Sequence, residues 1–295
     1  MNLQYSETFY SPQGEGAYVG IPSLWMRFFL CNLQCNGFGQ DNPTDPDSWE
    51  LPYEEIDISR IKVVEELPVF SKGCDSSYTW AKKYKHLITD RTVEEAVNEL
   101  TALLPTGKFV HGKTGQNIDM VFTGGEPMLK KTQPGMSEVI EEFKRRDNMP
   151  MRVTVETNGT KPIDDDFSEW VQINYSRWTG REWYWSVSPK LWSTAGEQPK
   201  KAIKPEVVGK YAEVSNKGQL KFVVNGSEES WDEVEEHVAS FRDAGVDWPI
   251  WIMGVGGTVE GLKMTEAMIA DEAIQRGYYY TSQVHAHIYG NAIGK

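Results

Sequence analysis

The chain has 295 residues, with 30 basic against 43 acidic side chains and a net charge of −13 at pH 7. So acidic a balance argues against a nucleic-acid-binding surface, whose affinity comes from clustered Lys and Arg. At 39% hydrophobic and 12% aromatic residues it is too apolar for disorder, and no apolar run approaches the length of a membrane span. The first residues, Met1 to Glu7, lack the basic stretch and apolar run of a signal peptide. The expectation is a cytoplasmic globular protein with one large core or two modest ones. Three cysteines, Cys31, Cys35 and Cys74, cannot all pair among themselves. Under reducing conditions they are buried bulk, reactive thiols or metal ligands.

In chain order, residues 24–30 form an apolar, aromatic run of strand length broken by Arg27, and Cys31 follows it. A buried guanidinium needs a partner, so Arg27 implies an edge strand, a structural carboxylate or an anionic ligand held by its fork. Residues 36–73 then turn rich in Gly, Pro, Asp and Glu. They read as an inserted, mostly surface segment with a short strand or helix near 59–66. Thr92 and Glu95 make a capping box for a helix with apolar residues at 93, 96, 97, 100, 103 and 104.

Residues 118–123 are a short strand ending in Gly124-Gly125-Glu126-Pro127. A helix near 136–146 leads to a strand at 152–156, followed by Thr157-Asn158-Gly159-Thr160, and a strand at 184–188 ends in Ser188-Pro189-Lys190. A strand at 219–224, a helix opened by Ser230 with Glu233 as a second capping box, a strand at 249–253, a helix through the 260s and 270s and a strand at 279–284 complete the series. A period of two would place His285 and His287 on one face beyond that last strand.

Strand and helix in alternation predict an α/β fold with right-handed crossovers, a mainly parallel sheet and a partial or full barrel. Such sheets carry their chemistry beyond the carboxyl ends of the strands. Cys31, Gly124–Pro127, Thr157–Gly159 and Ser188–Lys190 all fall there. Glycines at a strand end let backbone approach a ligand, and the neighbouring Glu126 carboxylate suits an ammonium group. The residues alone leave three readings of the thiols open. They are core packing, a zinc site completed by His86 or His111, or a four-iron cluster whose fourth iron is free for a small molecule.

Taken together, Cys31-x-x-x-Cys35, Cys74-Asp75-Ser76, Gly124-Gly125-Glu126-Pro127 and Glu156-Thr157-Asn158-Gly159 resemble the motifs of radical S-adenosylmethionine enzymes. The stretch Phe9 to Gly16, Arg27, Ser188-Pro189-Lys190 and the tail from His285 to Asn291 narrow the resemblance to the 7-carboxy-7-deazaguanine synthases. That resemblance implies a homodimer with an incomplete β/α barrel, a single domain over 1–295 with 36–73 inserted in it. It implies a [4Fe-4S] cluster that reduces S-adenosylmethionine to a 5′-deoxyadenosyl radical, which takes hydrogen from C6 of 6-carboxy-5,6,7,8-tetrahydropterin. Ring contraction with loss of ammonia then gives 7-carboxy-7-deazaguanine, for queuosine-type nucleosides. The electron donor would be flavodoxin-like or similar.

By the same resemblance, Cys31, Cys35 and Cys74 bind the cluster. Gly73, Asp75, Gly125, Glu126, Asn158, Ser188 and Lys190 hold S-adenosylmethionine. Ser76 binds Mg2+, whose preference for oxygen ligands suits a hydroxyl. Pro12, Gln13, Gly14, Glu15, Arg27, Thr123, His285 and the terminal Lys295 contact the pterin, Arg27 through its carboxylate. A glycyl-radical activase and a zinc-stabilised binding protein without catalysis are the alternatives. An activase would have no need of Arg27, His285 and the 13–16 set.

Three departures from the family pattern stand out. Phe38 occupies the usual place of the third cysteine, and the peptide that carries it recurs 36 residues later at Cys74. Lengthening a flexible loop from 2 to 38 residues is about four doublings, roughly 2.5 kcal/mol at ~0.6 each. Bound structural metal contributes on the order of 10 kcal/mol, so ligation tolerates the added chain. Ser76 stands where Thr is more usual, and Gln283 where Arg is usual. The stretch 252–256 lacks the common proline and acid.

Overall fold

The computed structural model describes residues 1–294. One nine-stranded sheet runs through it, in the order β3-β1-β2-β4-β5-β6-β7-β8-β9. The strands are β1 (Asn2–Pro12), β2 (Pro22–Phe28), β3 (Thr89–Thr92), β4 (Asp119–Gly124), β5 (Arg152–Thr157), β6 (Glu182–Val187), β7 (Gly218–Val224), β8 (Ile250–Gly254) and β9 (Tyr279–Tyr280). Six of the eight pairings are parallel, and only β1 pairs antiparallel, with β2 and β3. The sheet does not close on itself, which is the incomplete, mainly parallel α/β barrel expected.

The α-helices are α1 (Pro52–Glu55), α2 (Val93–Leu103), α3 (Gln133–Arg145), α4 (Asp165–Val171), α5 (Trp192–Ala195), α6 (Pro199–Ala202), α7 (Pro205–Val214), α8 (Glu228–Asp243), α9 (Val259–Gln275) and α10 (Val284–Tyr289). Thr92 and Glu95 form the expected capping box of α2. For α8 the sequence reading was off by one turn. Ser227 is the cap and takes the Ser230 amide, while Glu233 instead accepts from Ser193.

The period of two in the strands sorts the two faces of the sheet. Leu24, Met26 and Phe28 of β2, Met120 and Phe122 of β4, and Val153 and Val155 of β5 pack into the main core. So do Trp183 and Trp185 of β6 and Leu220 and Phe222 of β7. The residues between them, Trp25, Arg27, Thr123, Glu156, Ser186 and Lys221, line a concave cavity on the other face. β1 shifts register between Tyr5 and Glu7. Such a bulge flips every later side chain. Leu3 and Tyr5 therefore pack in the core, whereas Phe9 and Ser11 reach the cavity. β1 precedes the run at 24–30, which the sequence pattern marks as the first strand.

Residues 36–73 are less peripheral than expected. Tyr53, Val64, Leu67 and Phe70 form a second apolar cluster with Tyr78, Ala81, Tyr84 and Leu87. The region expected to hold a strand or helix carries two single 3-10 turns, Ile58–Arg60 and Val64–Glu66. Its ends meet where the Gly73 amide donates to the Phe38 carbonyl at 2.7 Å.

The end of the chain also differs from expectation. β9 is two residues long, and 284–289 is the helix α10. His285 and His287 consequently do not share a face. His285 lines the cavity, while His287 meets Glu266 at 3.1 Å.

The packing of the second cluster sets a first prediction. Leu67→Ala should lower the unfolding free energy by about 2–5 kcal/mol, whereas Met264→Ala, at a position 84% exposed, should stay within about 0.5 kcal/mol. Denaturant unfolding of both variants checks this, and equal midpoints would mean that the segment carries no core.

Candidate active site

The cavity has a volume of about 280 Å3 and opens at the carboxyl ends of the strands. Cys31, at the end of β2, Cys35, and Cys74, on the far side of the 36–73 neck, all face it. They share an apolar cluster with Leu33, Phe38, Ala195 and Ala202. Burial is the main force on each thiol. It pushes Cys31 up to about 12 and Cys74 to about 11, and holds Cys35 well above the ordinary thiol range. Cys74 pushes Cys31 up, Cys31 and Cys74 push Cys35 up, and Lys190 pulls all three down. Three neutral thiols in one wall release protons when they take metal.

Among the described residues no three His, Cys, Asp or Glu side chains converge on a single ion. A four-iron cluster makes no such demand, because each thiolate binds a different iron. The donor set therefore fits that group. The fourth ligand that a zinc site needs is not at hand. His86 bonds to the Lys83 and Ile61 carbonyls, and His111 bonds to Thr114.

The cysteine loop is held by groups that sequence reasoning missed. Glu197, buried, accepts from the Gln34 amide at 2.7 Å and the Cys35 amide at 2.9 Å. Leu30, just before Cys31, sits at φ 82°, a left-handed conformation unfavourable for a branched residue. Two hydrogen bonds hold it there: its amide donates to Thr79 and its carbonyl accepts from Glu126. A Cβ on Gly125 would overlap that carbonyl oxygen. The glycine pair in Gly124-Gly125-Glu126-Pro127 thus lets the β4 loop lie against the cysteine loop.

Glu126 is not where its motif suggested. It is 0% exposed, and its carboxylate accepts from the Met128 amide (2.8 Å), the Thr157 hydroxyl (2.6 Å) and the Asn158 amide (2.8 Å). Burial raises its pKa, and these donors pull against the rise. It joins the loops after β4 and β5 from beneath instead of facing the cavity. Asn158 does face it, with Nδ2 3.2 Å from Asn32 Oδ1 and 3.9 Å from Cys31 Sγ. Lys190 bonds the Ser188 hydroxyl at 2.9 Å and lies over the Phe38 ring. Gly73, Asp75 and Gly125 line the same wall.

The opposite wall is polar. Arg27 Nε donates to Glu7 at 2.6 Å and its Nη1 to the Ser76 hydroxyl at 3.2 Å. Glu7, which also accepts from Tyr78 at 2.6 Å, is the structural carboxylate that Arg27 required. Among the described residues Nη2 makes no hydrogen bond, so part of the fork is free on the cavity side. Ser76 donates to Asp75 at 3.0 Å, which puts two oxygen donors side by side. Gln13 Nε2 donates to Glu156 at 3.2 Å, Thr123 donates to the same carboxylate at 3.3 Å, and Gln13 Oε1 takes the Glu15 amide. Pro12 and Gly14 lie on this rim, and a Cβ on Gly14 would run into His285. Lys295 lies outside the described residues.

Lys221, 5% exposed, pairs with Glu15. It too was missed, although a lone Lys in Gln-Leu-Lys-Phe-Val-Val is the same signal as Arg27 in its strand. Burial opposes both charges. Lys221 with His285 and Lys190 nevertheless brings Glu15 below the ordinary carboxylate range, and Glu15 with Glu156 brings Lys221 above its own.

A depressed carboxylate pKa adds stability above the unfolded value of 4.5 that is lost as pH falls through the folded value. A raised ammonium pKa adds stability below 10.5 that is lost as pH rises through the folded value. Lys221→Met should therefore destabilise the chain by about 3–5 kcal/mol at pH 7 by leaving Glu15 buried alone, and the double variant Glu15→Gln/Lys221→Met by less. Urea titrations at pH 7 and pH 3 check it. A coupling between the two positions that is as large at pH 3 as at pH 7 would contradict the ion pair.

No protein-family model matches the chain. Curated proteins similar to it include the 7-carboxy-7-deazaguanine synthase of Rhodopirellula baltica, 26% identical, over 99% of this chain and 89% of that protein. Those of Halobacterium salinarum, 26% identical over 98% of this chain and 91% of that protein, and Pyrobaculum aerophilum, 25% identical over 98% and 96%, are similar too. Among solved structures, QueE from Escherichia coli superimposes with a TM-score of 0.52 at 16% identity, over 96% of this chain and 95% of that one. At that identity the likeness is one of fold. The relatives bear out the resemblance carried by the motifs, and with it the reading of the chain as an enzyme similar to the 7-carboxy-7-deazaguanine synthases.

Proposed function

We propose that this relative of the 7-carboxy-7-deazaguanine synthases is a radical S-adenosylmethionine lyase that contracts 6-carboxy-5,6,7,8-tetrahydropterin to 7-carboxy-7-deazaguanine with loss of ammonia, for queuosine-type nucleosides. The observation that carries the proposal is the meeting of Cys74 with Cys31 and Cys35 in one cavity whose facing wall holds Arg27, Glu15 and Glu156. Cys31, Cys35 and Cys74 would hold a [4Fe-4S] cluster, which when bound supplies the electron that cleaves S-adenosylmethionine.

Each remaining residue has a job that its position supports. Gly73, Asp75, Gly125, Asn158, Ser188 and Lys190 would hold S-adenosylmethionine, and Glu126 would act on it only by fixing the two loops above. The free side of Arg27 would take the pterin carboxylate, since a guanidinium can serve two carboxylates through separate edges. Glu15, kept ionised by Lys221, would accept from the amino and amide edge of the ring beside Gln13. Thr123, His285, Pro12 and Gly14 would close around it. Ser76 with Asp75 would bind Mg2+ through oxygen.

We take 1–295 as one radical S-adenosylmethionine domain with 36–73 inserted, acting as a cytoplasmic homodimer with a flavodoxin-like donor. Among the described residues no helix is long and apolar enough to cross a membrane.

The test is anaerobic reconstitution with iron and sulfide, then incubation with reductant, S-adenosylmethionine and the carboxypterin, with the product read by mass. The expected result is a brown protein absorbing near 400 nm that makes the deazaguanine, with both properties lost in Cys74→Ala. One zinc per chain, no colour and no product would end the proposal.

Arg27→Ala would strand Glu7, so Arg27→Lys is the better probe, keeping a cation but losing the planar fork. Carboxypterin turnover should fall by about 100-fold, on the order of 3 kcal/mol, while uncoupled S-adenosylmethionine cleavage persists. Equal loss of both would remove Arg27 from substrate binding.

A further inference from the structure

Trp80 lines the cavity beside Cys74, and its indole N–H is buried with no hydrogen-bond partner among the described residues. An unpaired buried donor is unfavourable by about 1–3 kcal/mol and calls for an explanation. The backbone accounts for where the ring points. The Ser77 amide donates to the Cys74 carbonyl at 3.2 Å and the Trp80 amide to the Ser77 carbonyl at 3.1 Å. Successive three-residue turns of this kind eclipse positions 74, 77 and 80 on one face. Tyr53 fixes the ring edge-on, with centroids 5.3 Å apart and planes at 70°. Cys31 has donors of its own in the Leu33 amide at 3.4 Å and Asn158 Nδ2 at 3.9 Å.

We propose that Trp80 is a positioning residue of the cysteine centre, its indole N–H donating to the Cys74 sulfur once that sulfur is a metal-bound thiolate. The inference rests on the reading of the three cysteines as cluster ligands. A thiolate is a stronger acceptor than a thiol, so the bond forms fully only in the loaded protein. N–H···S bonds favour the more negative, reduced state of an iron–sulfur centre and so raise its potential.

Trp80→Phe keeps an aromatic ring beside Tyr53 and removes the donor. Redox titrations of reconstituted wild type and variant, followed by electron paramagnetic resonance, should give a more negative midpoint potential in the variant. A second measurement needs no variant: wild type grown with indole-15N tryptophan should show nitrogen hyperfine coupling to the reduced cluster. Equal potentials with no 15N coupling overturn the inference, and the 15N result decides alone if the variant loads too little iron. A wild-type chain that assembles no cluster fails the reading of the cysteines, and this inference with it; a cluster insensitive to Trp80 fails this inference alone.

Discussion

The site depends on one backbone hydrogen bond, from the Gly73 amide to the Phe38 carbonyl. It closes the neck of a long excursion and returns the chain to the place it left, so that Cys74 lands where a third cysteine three residues after Cys35 would otherwise stand. Packing shares the work. Gly39 passes tight against the Ser71 carbonyl, Gly37 fits only against the backbone at Ala195 and Gly196, and Lys72 pairs with Glu50. The second apolar cluster lowers the entropy of the excursion by giving it a core. A flexible loop of that length would close far less often.

The second constraint is the two-residue period of the strands. Parallel strands covered on both faces usually read as continuous apolar runs. Here the inner face carries Arg27, Thr123, Glu156, Ser186 and Lys221 because it borders a cavity instead of a packed interior. Charges placed there need partners. Arg27 finds Glu7 directly across an antiparallel pair, whereas Lys221 finds Glu15 from a loop far away in sequence. The bulge in β1 makes the first of these possible, since without it Glu7 would face the helices.

The two walls of the cavity therefore differ in kind. Around the thiols the surroundings are apolar and raise proton affinity, which suits ligands that lose protons only to metal. Across from them fixed ion pairs hold charge in place before any substrate arrives, and such preorganised groups act without reorganisation when a ligand binds. Glu126 and Glu197 belong to neither wall. Each accepts from two backbone amides, Glu126 also from the Thr157 hydroxyl and Glu197 also from Lys201, and so sets the shape of the loops that carry the cysteines.

Much of this was legible in the residues. Alternating apolar strands and capped helices specify a parallel α/β sheet, since periodicity is a local property of the chain. The strand-end motifs mark one mouth, and Arg27 stood out as a charge in an apolar run. Tertiary structure alone decided the rest. Whether Cys74 meets its companions, whether Glu126 faces a ligand or the backbone, and whether His285 and His287 part company all depend on contacts between residues distant in sequence. The expected strand stops at Tyr280 and helix α10 begins at Val284, whose amide docks on the Gly14 carbonyl, a partner that no local pattern at 279–284 could reveal. Sequence spacing determined which groups were available, and packing across the sheet decided which of them meet, because side-chain direction beyond one element is set by long-range contacts.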